Sequence, residues 1–144
     1  MNYYLNALRN YALFSGRARR SEYWYFALFN LIFSIVAMVL DYALGSSFTI
    51  NTLSGPIALP YGYCYLAYAL VVLIPGLAVL VRRLHDVGKS GWFFFINLIP
   101  IVGAIWLLVL LFTDSDEGAN KYGLNPKGIG NRDEIDEVGS YLQQ

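Results

Sequence analysis

With 144 residues, 57% of them hydrophobic, only 14% charged and a formal net charge of zero, the chain is too apolar and too poor in charge for a soluble domain of its size. It is one domain at most, and its class is integral membrane. The single cysteine, Cys64, excludes an intrachain disulfide and a multi-cysteine metal site, and so few basic residues, placed beside apolar segments, argue against nucleic acid as a partner.

The zero net charge conceals an uneven distribution. Arg9, Arg17, Arg19 and Arg20 face only Glu22 at the front, whereas residues 113–144 hold seven acids against Lys121, Lys127 and Arg132. No Asp, Glu, Lys, Arg or His occurs from residue 42 to 81, and none from 90 to 113. Both stretches exceed the roughly 20 apolar residues that a membrane-spanning helix needs.

In chain order, residues 2–14 place Tyr4, Leu5, Leu8, Tyr11 and Ala12 on one helical stripe, with Asn2, Asn6, Arg9 and Asn10 largely opposite. This predicts a short amphipathic helix at the membrane interface, drawn to anionic lipid by Arg17, Arg19 and Arg20. The competing reading is an N-terminal helix packed on its own protein. Gly16 breaks the helix and Ser21 is placed to cap the next one.

A first span is predicted at about 24–44, entered through Tyr23, Trp24 and Tyr25 and ending near Asp41. Its apolar run is too long for a signal peptide. A polar insert at 45–56 separates it from a second span at about 60–81, rich in tyrosine at its start and carrying Pro75-Gly76. The proline predicts a kink, and the tyrosines either an interfacial girdle or hydroxyls bonded to neighbouring helices. A third span is predicted at about 92–112, interrupted by Asn97, Pro100 and Gly103, with Asn97 seeking a partner across a helix interface. The expected fold is therefore all-α, a multi-pass transmembrane helical bundle of three spans plus the interfacial helix. Residues 1–128 form the membrane domain and residues 129–144 an acidic flexible tail.

Successive flanks hold four, zero and three basic residues, which places the N-terminus and the charged island Arg82 to Trp92 in the cytoplasm. Three spans then put the tail outside. A re-entrant third segment, or a fourth crossing within 45–63, would return it.

The island, together with Glu22, offers the only dense set of ionisable groups beside the membrane. Arg17, Arg19, Arg20, Arg82, Arg83 and Lys89 are candidates for binding anions or lipid headgroups, since guanidinium forks suit phosphate. Glu22, His85 and Asp86 are candidates for a structural polar joint with those arginines. A single histidine supports no metal site, and neither a nucleophile constellation nor a phosphate loop is present. No cofactor is expected. The expected function is a structural or regulatory membrane component contacting anionic lipid headgroups of the phospholipid membrane, with a homo-oligomer or a larger membrane protein as its partner. The alternatives are an oligomeric small-solute channel or transporter and a membrane-embedded enzyme acting at headgroup level.

Four motifs in order carry a resemblance: Phe14-Ser15-Gly16-Arg17-Ala18-Arg19-Arg20-Ser21-Glu22-Tyr23-Trp24, the island Arg82 to Trp92, Leu98-Ile99-Pro100-Ile101-Val102-Gly103, and Gly118-Ala119-Asn120-Lys121-Tyr122-Gly123-Leu124-Asn125-Pro126. On these, residues 1–128 resemble the DUF805 family of small bacterial inner-membrane proteins. The resemblance implies an inner-membrane location and a multi-pass helical fold, and carries no activity with it. It also allows the tail motif a place near the island, in competition with an odd number of crossings.

Overall fold

The computed structural model describes residues 4, 5 and 9–131. Two long helices dominate it: α1, Arg20–Leu44, and α2, Tyr63–Asp86. At 25 and 24 residues they are the two described helices long and apolar enough to cross a membrane. Each rises about 36 Å, more than the roughly 30 Å of a hydrocarbon core. Leu28, Leu31, Ile35, Val39 and Leu70 lie exposed along them, as expected of side chains facing lipid.

Both helices are longer than the sequence suggested. α1 starts at Arg20 with Arg19 as N-cap, so Ser21 lies inside the first turn and caps nothing. α2 continues five residues past Val81 and carries Arg82, Arg83, His85 and Asp86 in its last turns. The charges did not end the helix because each found a protein partner.

Between the helices, where a polar loop was expected, the chain forms an antiparallel hairpin of β1, Ser47–Thr52, and β2, Gly55–Gly62. Thr52 pairs with Gly55, so the turn is the two residues Leu53 and Ser54. The bundle itself is all-α, and the hairpin is an addition to it. The hairpin is anchored by Asp41, whose fully buried carboxylate accepts hydrogen bonds from the backbone N–H groups of Gly62 (2.8 Å), Cys64 (2.9 Å) and Tyr65 (2.9 Å) and from the Ser46 hydroxyl (2.6 Å). The last acid of α1 thus satisfies orphan donors at the start of α2. Gly45, at φ +63°, closes α1 and returns its N–H to the Asp41 and Tyr42 carbonyls.

The expected third span is not one helix. Residues 92–112 divide into a 3-10 helix, Gly91–Leu98, and an 11-residue α3, Val102–Phe112, only about 16 Å long. Pro100 to Val102 form a γ-turn, with Ile101 at φ 65° and the Val102 N–H donating to the Pro100 carbonyl at 2.7 Å. The chain reverses there: a Cβ on Gly103 would overlap the Ile96 carbonyl, so the two arms lie side by side with glycine at their contact. Both arms begin and end beside the last turns of α2. Gly91 touches Val81, while the carbonyls of Leu110, Leu111 and Thr113 meet Arg83. Residues 113–131 consequently fold over the same end of the molecule as the island, and the separation of tail from island expected of three spans is corrected. Asn97, expected at a helix interface, is exposed near the turn.

The buried apolar core is concentrated at this end. Leu84 and Val87 pack with Leu107, Leu110 and Leu111, and Phe26 packs with Val79.

Of the predicted interfacial helix, residues 2, 3 and 6–8 lie outside the described residues. Tyr4 packs against Phe26, Phe29 and Phe33 of α1 at 5.3–5.6 Å between ring centroids. The Tyr11 hydroxyl donates to the Val71 carbonyl at 2.9 Å, halfway along α2. Those contacts are of the kind expected of a segment packed on its own protein, the competing reading. They have a local cause: Val71 is four residues before Pro75, which has no N–H, so its carbonyl lacks the usual helical donor.

Candidate functional site

Asp86 is the centre of the polar end. Fully buried, it accepts from the Arg17 Nε at 3.0 Å, from the Ser115 hydroxyl at 2.6 Å and from Arg83 Nη1. Its backbone carbonyl accepts from Arg17 Nη2 at 3.3 Å and from the Asp116 N–H at 2.9 Å. Three separate stretches of chain, residues 17, 83–86 and 115–116, therefore meet on one residue.

Arg17 extends the junction. Its Nη1 donates to the Gly118 carbonyl at 2.7 Å and its Nη2 to the Asp116 carbonyl at 2.6 Å. Arg83 turns the other way and donates to the Leu110, Leu111 and Thr113 carbonyls, where α3 leaves acceptors without helical partners. A cation at a helix C-terminus also complements the dipole there. These two guanidinium groups, buried and with every nitrogen engaged, present no donor to an external anion.

Arg82 points toward α1 and pairs with the Glu22 carboxylate at 2.7 Å, both side chains nearly buried. Its Nε and Nη2 are buried without a hydrogen-bond partner. The Ala18 N–H donates to the Arg82 carbonyl at 3.0 Å, so the entry of α1 is held to α2 by backbone as well as by charge. Arg19 donates to the Pro126 carbonyl, and Arg20 reaches the Phe112 carbonyl and, at 2.8 Å, the Asp114 carboxylate. Lys127 shares Asp114, and together with the Ser115 N–H it holds that carboxyl below its ordinary value. Lys89 is exposed.

The candidate joint residues thus separate into a pair, Glu22 with Arg82, a triad, Asp86 with Arg17 and Arg83, and a third element built on His85. Its Nδ1 lies 3.2 Å from the Gly16 carbonyl and its ring stacks on Tyr122, centroids 3.7 Å apart and planes within 5°. The Asn120 side-chain amide donates to the His85 carbonyl at 2.9 Å. Asn125 and Asn131 bond reciprocally at 2.9 Å and close the remainder of residues 113–131. Asn120, Tyr122, Ser115, Asn125 and Asn131 were not among the expected site residues. The only signal for Asn120, Tyr122 and Asn125 was the motif at 118–126, and Ser115 and Asn131 lie outside it.

Among the described residues, no group of three or more His, Cys, Asp or Glu side chains is disposed to hold a metal ion.

A family model described as "Protein of unknown function (DUF805)" matches residues 11–124. The inner membrane protein YhaI of Escherichia coli strain K12 is 39% identical over 127 residues, covering 88% of this chain and 97% of that protein. The inner membrane protein YhaH of the same strain is 40% identical over 129 residues, covering 88% of this chain and 98% of its own length. No solved structure matches the chain.

Proposed function

The chain belongs to the DUF805 family, as a small multi-pass protein of the bacterial inner membrane, and on that footing we propose that it is a structural or regulatory membrane component. Two crossing helices hold a folded cap at the cytoplasmic surface, and the cap contacts anionic lipid through its rim. Residues 91–112 are re-entrant in this reading, entering the membrane and leaving on the same side. One observation carries the proposal: the buried Asp86 carboxylate gathers Arg17, Arg83 and Ser115 from three segments of the chain. The island's charges bind one another instead of facing a cleft, which favours a structural role for them over chemistry on a substrate. Cations with access to lipid at this end include Arg20, with 42% of its side chain accessible, Lys89 and Lys121. The basic residues of the first flank and the island, facing a hairpin flank with none, support the cytoplasmic placement.

Asp86→Asn tests the joint. Removing one charge from a buried pair costs about 3–5 kcal/mol because the partner remains buried and uncompensated. The purified variant is expected to melt well below the parent, and added phosphatidylglycerol is expected to raise the melting temperature of both. An unchanged melting temperature in the variant would overturn the structural reading. The absence of any response to phosphatidylglycerol in the parent would overturn the lipid contact.

A further inference from the structure

We propose that the groove between the C-terminal half of α2 and the 3-10 helix 91–98 is a binding site for one acyl chain of an anionic phospholipid, with the phosphate seated at the His85–Tyr122 stack. The inference rests on the reading that this protein contacts anionic lipid, and assigns that contact a place and a chain.

The groove has a volume of about 570 Å³, within the roughly 300–1,000 Å³ of small-molecule sites. Leu77, Leu80 and Val81 form one wall, and Trp92, Phe94 and Phe95 the other. His85 and Tyr122 line its upper end. Leu77 and His85 are eight residues apart on one helix, about 12 Å. That length is most of the roughly 15 Å that one leaflet contributes to the hydrocarbon core. A groove so placed has acyl chains beside it, and its apolar walls suit the upper part of a single chain.

The polar end selects the headgroup. His85 and Tyr122 stack flat against each other and terminate the apolar walls. The exposed Lys121 holds its ammonium 5.0 Å from the Tyr122 ring centroid, and Ser90 brings a hydroxyl to the opposite lip. Arg17 and Arg83 are fully engaged with Asp86 and backbone carbonyls, so the cation held against the His85–Tyr122 stack is Lys121. Trp92, 78% exposed on the outer wall, reports on whatever occupies the groove.

The test uses the full chain carrying Trp24→Phe and Trp106→Phe, so that Trp92 is its one tryptophan, in bilayers doped with brominated-chain phosphatidylglycerol or brominated-chain phosphatidylcholine. Quenching is expected to show about a five-fold preference for phosphatidylglycerol, the factor that a single lysine near the surface supplies. Lys121→Glu is expected to abolish the preference while leaving quenching by both lipids, and Leu77→Phe, which fills the floor of the groove, to lower both. Native mass spectrometry of the chain with all its tryptophans, counting retained phosphatidylglycerol against phosphatidylcholine with and without Lys121→Glu, reads the same preference. Equal quenching by the two lipids, a preference that survives Lys121→Glu, or a Trp92 shielded from both lipids by a second copy of the chain would each overturn the proposal. If phosphatidylglycerol still raises the melting temperature in such a case, the groove fails while the broader lipid contact stands; if it does not, both fail.

Discussion

A single missing N–H organises the middle of the bundle. Pro75 leaves the Val71 carbonyl without its helical donor, and the Tyr11 hydroxyl supplies a replacement from a segment 60 residues away. Such a bond contributes roughly 0.5–1.5 kcal/mol net. Tyr11→Phe is expected to destabilise the protein by about 1 kcal/mol in the parent and by nearly nothing once Pro75→Ala has restored the backbone donor. A double-mutant cycle on melting free energies checks this; equal effects of Tyr11→Phe in both backgrounds would show that the hydroxyl does not serve the orphan carbonyl. The island residues of the polar end were legible as candidates because they are the only charges between two long uncharged stretches. Their partners were not. Arg17 binds carbonyls about 100 positions away, and a backbone carbonyl leaves no mark on the sequence that says which arginine will reach it.

The two crossing helices were readable from composition, because every residue in hydrocarbon must be apolar or partnered. The limits of α2 were misread for the same reason: Arg82 to Asp86 look like the end of a span until their buried partners are known. The hairpin at 47–62 was hidden because its strands lack a clean alternation, being exposed at most positions. In the segment 91–112 Pro100 and Gly103 were visible as interruptions, but a bend and a reversal differ only in the torsion of one residue. Ile101 at φ 65° makes the difference, in a region where a β-branched side chain is strained by about 1–3 kcal/mol. Ile101→Gly is therefore expected to raise the melting temperature, and Gly103→Ala, whose Cβ would overlap the Ile96 carbonyl, to lower it. A continuous third helix would reverse both signs, since glycine weakens and alanine strengthens a helix interior, so differential scanning of the two variants decides between them.

For the molecule as a whole, the two long helices bring the first flank, the island and residues 113–131 to one end and leave the hairpin at the other. Ion pairs and backbone contacts then fix the two helices against each other, which apolar burial does not do among lipid tails that are equally apolar. Lipid contact, in this account, belongs to the rim of that end and to the groove below His85. All of it depends on the tail returning to the island's side of the membrane. Cysteine accessibility measures that directly: with Cys64 replaced by Ser, single cysteines are placed at Ser54 in the hairpin turn, at Lys89 in the island and at Ala119 in the cap, and cells are treated with a membrane-impermeant thiol reagent before and after permeabilisation. Positions 89 and 119 are expected to react only after the cytoplasm is opened and position 54 before; labelling of position 119 together with position 54 would contradict the account.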